Sequence, residues 1–134
     1  MLNPCLCKFF DKEMAYEACV RSVFPKLREL FPKTKLWLLI GFSLGGKYLL
    51  KARKWFLSNE KVKIALIDSI CHSESAIRQV GDAPCRHWVC HVDAHQGLDT
   101  VFCGSTEHRM AVGACFESLT KWMDEDSESK CTLS

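Results

Sequence analysis

Apolar and polar positions along the chain alternate between two periods. From Tyr16, apolar residues recur at Cys19, Val20, Val23, Phe24, Leu27, Leu30 and Phe31. That spacing lays one apolar stripe along a helix. Pro25 falls inside the stripe and predicts a kink or a restart there, and Pro32 with Lys33 predicts the end. Leu36 to Ile40 is an unbroken apolar run, as in a strand covered on both faces. After Gly45-Gly46, the positions Tyr48, Leu49, Ala52, Trp55 and Phe56 predict a second helix. Its other face carries Lys47, Lys51, Arg53 and Lys54, which read as a solvated face.

Val62 to Ile67 predicts a second buried strand, ending at Asp68. The stretch HSESAIRQVGDAP is polar and loop-like, with room for one helical turn. HWVCHV reads as a short strand or an irregular segment, and Val101-Phe102-Cys103 as a third short strand. Val112, Cys115, Phe116, Leu119, Trp122 and Met123 mark a closing amphipathic helix. Helix and strand in this alternation predict an α/β fold, a parallel sheet with flanking helices. The predicted domain spans 13–123. Residues 1–12 read as irregular, and the acidic polar tail 124–134 as disordered.

Composition narrows the setting. With 134 residues, 48% hydrophobic, the chain suits one globular domain. A formal net charge of +2 is too near balance to imply contact with nucleic acid or a membrane surface. No run approaches the roughly 18 apolar residues of a membrane span. The start MLNPCLCKFF lacks a basic leader and a long apolar core, so secretion is not expected. The expected setting is the nucleus, the cytoplasm or both, where thiols stay reduced. Nine cysteines, an odd count, fit that setting better than a disulfide framework. Cys19 and Cys115 fall on apolar helical faces, where a free thiol acts as a small hydrophobe.

Chemistry enters at Gly41-Phe42-Ser43-Leu44-Gly45, which fits G-x-S-x-G between a buried strand and a helix. In that context the serine sits on a strained turn, and small residues are needed on either side, here Gly41, Gly45 and Gly46. The Leu44 N–H, at the head of the helix, is the expected oxyanion donor. A nucleophilic serine needs a base, and the base needs an orienting acid. Asp68 and His108 follow in the order such hydrolases use, each just past a strand. His72, His87, His91 and His95 are alternatives for the base. Cys85, Cys90, His91 and His95 outline a zinc-binding alternative, but their spacing matches no paired-ligand motif. No metal and no cofactor are expected.

The segments KLWLLIGFSLGGKYLL, KVKIALIDSICHS, HWVC and VFCGSTEHRMAVGACFESLTKWM together resemble the Arb2 domain family. That domain is similar to an α/β hydrolase. It occurs in fission-yeast Argonaute-binding protein 2, in the animal cotranscriptional regulator family and in some class II histone deacetylases. The resemblance covers about Val20 to Met123. Ser43, Gly45 and Gly46 match the family's His-Ser-x-Gly-Gly turn, Asp68 and Ser69 its Thr-Asp-Ser strand end, and Gly104 and His108 its Gly-Thr-x-x-His-Glu segment. Phe42 stands where the family has His, Ile67 and Ser105 where it has Thr, and Arg109 where it has Glu. His72 lies one position late.

Only about fifteen residues precede the first clear helix, where a complete hydrolase-like sheet has earlier strands. The chain therefore reads as the C-terminal half of the fold, with an unpaired edge beside the serine strand. The resemblance implies a non-catalytic interaction module in Argonaute-linked small-RNA silencing, heterochromatin formation or nuclear RNA regulation. Its partner would be an Argonaute or a chromatin or RNA-processing protein. The alternative is an esterase-like or thioesterase-like serine hydrolase using Ser43, Asp68 and His108.

Overall fold

A computed structural model describes residues 12–56, 59–70, 74–92 and 98–125. Four strands form one all-parallel sheet: β1 (Leu36–Phe42), β2 (Lys61–Ile67), β3 (Cys85–Val89) and β4 (Asp99–Phe102), side by side in chain order. The connections run through α2 (Leu44–Ala52), which continues as a 3₁₀ turn at Arg53–Trp55, and through α3 (Glu74–Val80). Before the sheet comes α1 (Lys12–Leu30). After it come a 3₁₀ turn at His108–Met110 and α4 (Ala111–Asp124). The architecture is α/β, with helices on both faces of the sheet.

Each face has its own core. On one, Leu49, Leu50, Phe56 and Val80 pack on Leu39, Val62, Ile64 and Leu66, with Phe24 of α1 against them. On the other, Ala111, Cys115, Leu119 and Trp122 of α4 pack on Ala65, Ile67 and Trp88. Period-two alternation explains the split: neighbouring residues of a strand face opposite layers. It also explains why every residue of β2 after Lys61 is buried and nearly all of them are apolar, since both of its faces are covered.

Lys63 is the polar exception, yet it is only 2% exposed. Its ammonium lies 4.2 Å from the Trp122 ring centroid. It donates to the Trp122 carbonyl at 2.5 Å, at the end of α4 where helix carbonyls lack intrahelical donors. Trp88 ties the same layer together. Its indole N–H donates to Ser118 Oγ at 3.0 Å, and its ring meets Trp122 edge-on at 5.4 Å.

Several elements differ from the sequence reading. Pro25 neither ends nor restarts α1, which runs through it. Phe24, held between Trp37 and Phe56, fastens that turn by tertiary packing. The polar stretch after Asp68 contains a true helix, α3. Most of its surface faces solvent, so apolar periodicity never shows there. HWVCHV contributes to a regular strand, β3, so the strand expected around Val101 is the fourth. The N-terminal segment 1–11 and the tail from 126 lie outside the described residues.

Lys63→Met keeps the aliphatic stem and removes the donor to α4. It should cost about 1–3 kcal/mol in urea unfolding, the cost of a buried polar group left without its partner.

Candidate active site

Ser43, directly after β1, has φ 53° and ψ −128°, a conformation that a residue with a side chain adopts only under strain. Such a residue costs of order 1–3 kcal/mol and persists only where its surroundings over-determine it. Here they do. The Ser43 N–H donates to the Ile67 carbonyl at 3.0 Å, and the Ser43 carbonyl accepts from the N–H groups of Gly46 at 3.2 Å and Ile70 at 3.4 Å. The turn closes tightly enough that a Cβ on Gly41 would stand 2.6 Å from Gly46 Cα. A Cβ on Gly46 would stand 2.2 Å from Ser69 Oγ, whereas one on Gly45 would meet nothing within 4 Å. Space therefore demands glycine at 41 and 46. The sequence expectation for Gly45 is corrected, because that residue faces open space on the first turn of α2. Leu44 opens α2, and its N–H has no acceptor among the described residues.

Asp68 follows β2 and also has positive φ, 40°. Its backbone N–H donates to the Trp88 carbonyl at 2.6 Å. One carboxylate oxygen accepts from the Cys90 N–H at 3.1 Å, and the other meets His108 Nδ1 at 2.5 Å. A carboxylate only accepts, so the Nδ1 proton points at Asp68 and Nε2 is left as the basic nitrogen. The Asp68 side chain is 22% exposed and that of His108 50%, so the pair sits at the mouth of the sheet edge rather than inside the core. Phe42 stacks on the imidazole, with ring centroids 4.7 Å apart and planes 20° apart. Ser43 and His108 are thus flanked by the same residue. Among the described residues, Ser43 Oγ has no hydrogen-bond partner.

Electrostatics favours the ionised acid. Burial acts to raise the Asp68 pKa, but the hydrogen bonds from His108 and the Cys90 N–H outweigh it and hold the carboxyl below its ordinary value. The neighbouring Cys90 thiol goes the other way. Burial, with Asp68 and Cys103 beside it, pushes its pKa up to about 12. Cys90 therefore stays a neutral thiol, 3.8 Å from Cys103 Sγ, and is no rival nucleophile.

Of the other histidines, the described His87 and His91 make no hydrogen bond with Ser43. His87 is fully buried, and its Nε2 accepts from the Ser69 N–H at 3.0 Å. His91 is exposed just past β3, and His72 and His95 lie outside the described residues. Cys85 and Cys90 sit at opposite ends of β3, and among the described residues no three His, Cys, Asp or Glu side chains cluster as a metal requires. Two contributors have roles that sequence reasoning missed. Ser69, two residues past β2, fills the space under Gly46, and the N–H of Cys90, directly after β3, braces Asp68; their place at the strand ends is the signal that points to them.

Comparison with family models, curated proteins and solved structures finds no match to the chain. The site therefore rests on its own geometry.

Gly46→Ala should destabilise the fold by about 1–3 kcal/mol or more through overpacking against Ser69. Gly45→Ala should be neutral or stabilise by about 0.5–1 kcal/mol, as alanine does for glycine in a helix. Urea midpoints compare the two. The Asp68 pKa is lowered on folding, so its contribution to stability is present above the unfolded carboxyl value and is lost as pH falls through the folded one. The stability gap between wild type and Asp68→Asn should accordingly be full near pH 7 and shrink below about pH 4.

Proposed function

We propose that this chain carries a serine acyl-transfer centre of the α/β-hydrolase type, acting on an ester or thioester. The observation that carries this reading is the Asp68–His108 hydrogen bond, formed beside a serine held in strained backbone geometry. In the reaction, Ser43 Oγ attacks the carbonyl carbon and its proton passes to His108 Nε2. Asp68 keeps the imidazole oriented and offsets its positive charge. The Leu44 N–H donates to the oxyanion. Collapse of the tetrahedral species expels the alcohol or thiol, which takes the proton from His108. Water, deprotonated by the same imidazole, then releases the acid from Ser43.

A second reading has its own observation. On the sequence alone, the resemblance to Arb2 domains favours a non-catalytic module of Argonaute-linked silencing, heterochromatin formation or nuclear RNA regulation. Supporting it, β1 pairs only with β2 among the described residues, and Leu36 and Ile40 on that strand are 43% and 48% exposed. An apolar edge strand of this kind is a template for another chain. No helix among the described residues is long and apolar enough to cross a membrane. We rank the acyl-transfer reading first because Asp68 is hydrogen-bonded to His108 and Phe42, next to Ser43, stacks on the imidazole.

One experiment separates the two. A fluorophosphonate probe should label the wild-type chain, fail on Ser43→Ala, and label His108→Ala at least about 100-fold more slowly, the scale of a lost general base. No labelling, with an Argonaute protein still captured by the folded chain, would sink the acyl-transfer reading in favour of the interaction module.

A further inference from the structure

The residue joining the two strained positions of the site is Ser69. It is 3% exposed and makes contacts in three directions. Its hydroxyl donates to the Gly41 carbonyl at 2.9 Å and lies 3.3 Å from the Ile67 carbonyl, so it bridges the ends of β1 and β2. Its side chain fills the space beneath Gly46, where any Cβ would collide. Its backbone N–H donates to His87 Nε2 at 3.0 Å, and His87 is fully buried on β3. An Nε2 that accepts an N–H bond carries no proton, so the buried imidazole is the neutral Nδ1–H form.

We propose that Ser69, held by the neutral imidazole of His87, is the positioning residue that fixes Ser43 and Asp68 relative to each other. Asp68 lies between Ile67, whose carbonyl is taken by the Ser43 N–H, and Ser69, whose N–H is taken by His87. Pinned on both sides, Asp68 takes positive φ and projects its carboxylate towards His108. The same Ser69 side chain backs Gly41 and Gly46, which flank Ser43. One buried serine thus sets the nucleophile and the acid at once, and His87 acts through it without touching a substrate. The catalytic consequence rests on the acyl-transfer reading; the anchor itself does not.

The test uses the full ¹⁵N-labelled chain. Imidazole correlations should show His87 as the Nδ1–H tautomer, and the Ser43 and Ser69 amides should be protected from hydrogen exchange. In His87→Leu that protection should fall about tenfold or more, the scale of one lost hydrogen bond, while core amides such as Ile64 keep theirs. His87→Gln, whose side-chain oxygen can accept in place of Nε2, should restore it. Fluorophosphonate labelling of Ser43 should follow the same order, and Ser69→Ala should slow it without unfolding the chain. A wild-type His87 found as the Nε2–H tautomer would overturn the proposal, as would unchanged Ser43 and Ser69 protection in His87→Leu. If His87→Leu does not fold, the wild-type tautomer and the Ser69→Ala labelling rate decide. A wild type that never labels defeats the acyl-transfer reading alone, because tautomer and exchange still report on the anchor.

Discussion

The parallel pairing of β1 with β2 is the constraint from which the rest of the site follows. Seven residues align without a bulge, from Leu36 opposite Lys61 to Phe42 opposite Ile67. That register delivers the Ile67 carbonyl to the Ser43 N–H and leaves Ser43 and Asp68 leaving the sheet side by side. A slip of one residue would turn every side chain of β1 to the other face, taking Leu39 out of its core and Phe42 away from His108. Register is held by burial of β2 on both faces, so the hydrophobic core positions the site directly.

Two adjacent residues with positive φ are an unusual load for a sheet edge. Each is stabilised by a carbonyl one strand further along: Ser43 by Ile67, and Asp68 by Trp88. The ladder continues past the formal ends of the strands, with Cys103 N–H on the Val89 carbonyl. The strain is therefore borne by the sheet's own hydrogen bonds. It is also why the chemistry-bearing residues cluster at the carboxyl ends of parallel strands, where the backbone turns away and its groups become available.

Much of this was legible in the residues, and the failures have physical causes. Ser43 and Asp68 could be picked out because each follows an apolar run directly, and apolar runs mark buried strands; His108 comes six residues past the end of β4 and was picked out by its order in the chain. Helix α3 was not legible because it buries little, and period is visible only where one face is covered. Gly45 was misjudged because a motif records which residues recur, not which space each occupies; the close contacts fall at Gly41 and Gly46. Ser69 and His87 were visible as letters but not as roles, since their link joins strands and depends on one backbone N–H. Phe42 was read as a departure from the family, and in the fold it supplies a face for the imidazole.

That last contact helps weigh chemistry against binding. The tight stack of Gly41, Gly46 and Ser69 is demanded by packing, and a binding module on this fold would keep it. The same hydrogen bonds pin the backbone of Asp68, but packing makes no such demand for the contact between its carboxylate and His108. A half-exposed ion pair contributes little to stability, because solvent screens it and ordering the side chains costs entropy. Yet the Asp68 carboxylate is braced by the Cys90 N–H and meets an imidazole that stacks on Phe42. A braced carboxylate with a fixed imidazole partner is what the acyl-transfer proposal requires, and a binding module would have no use for it.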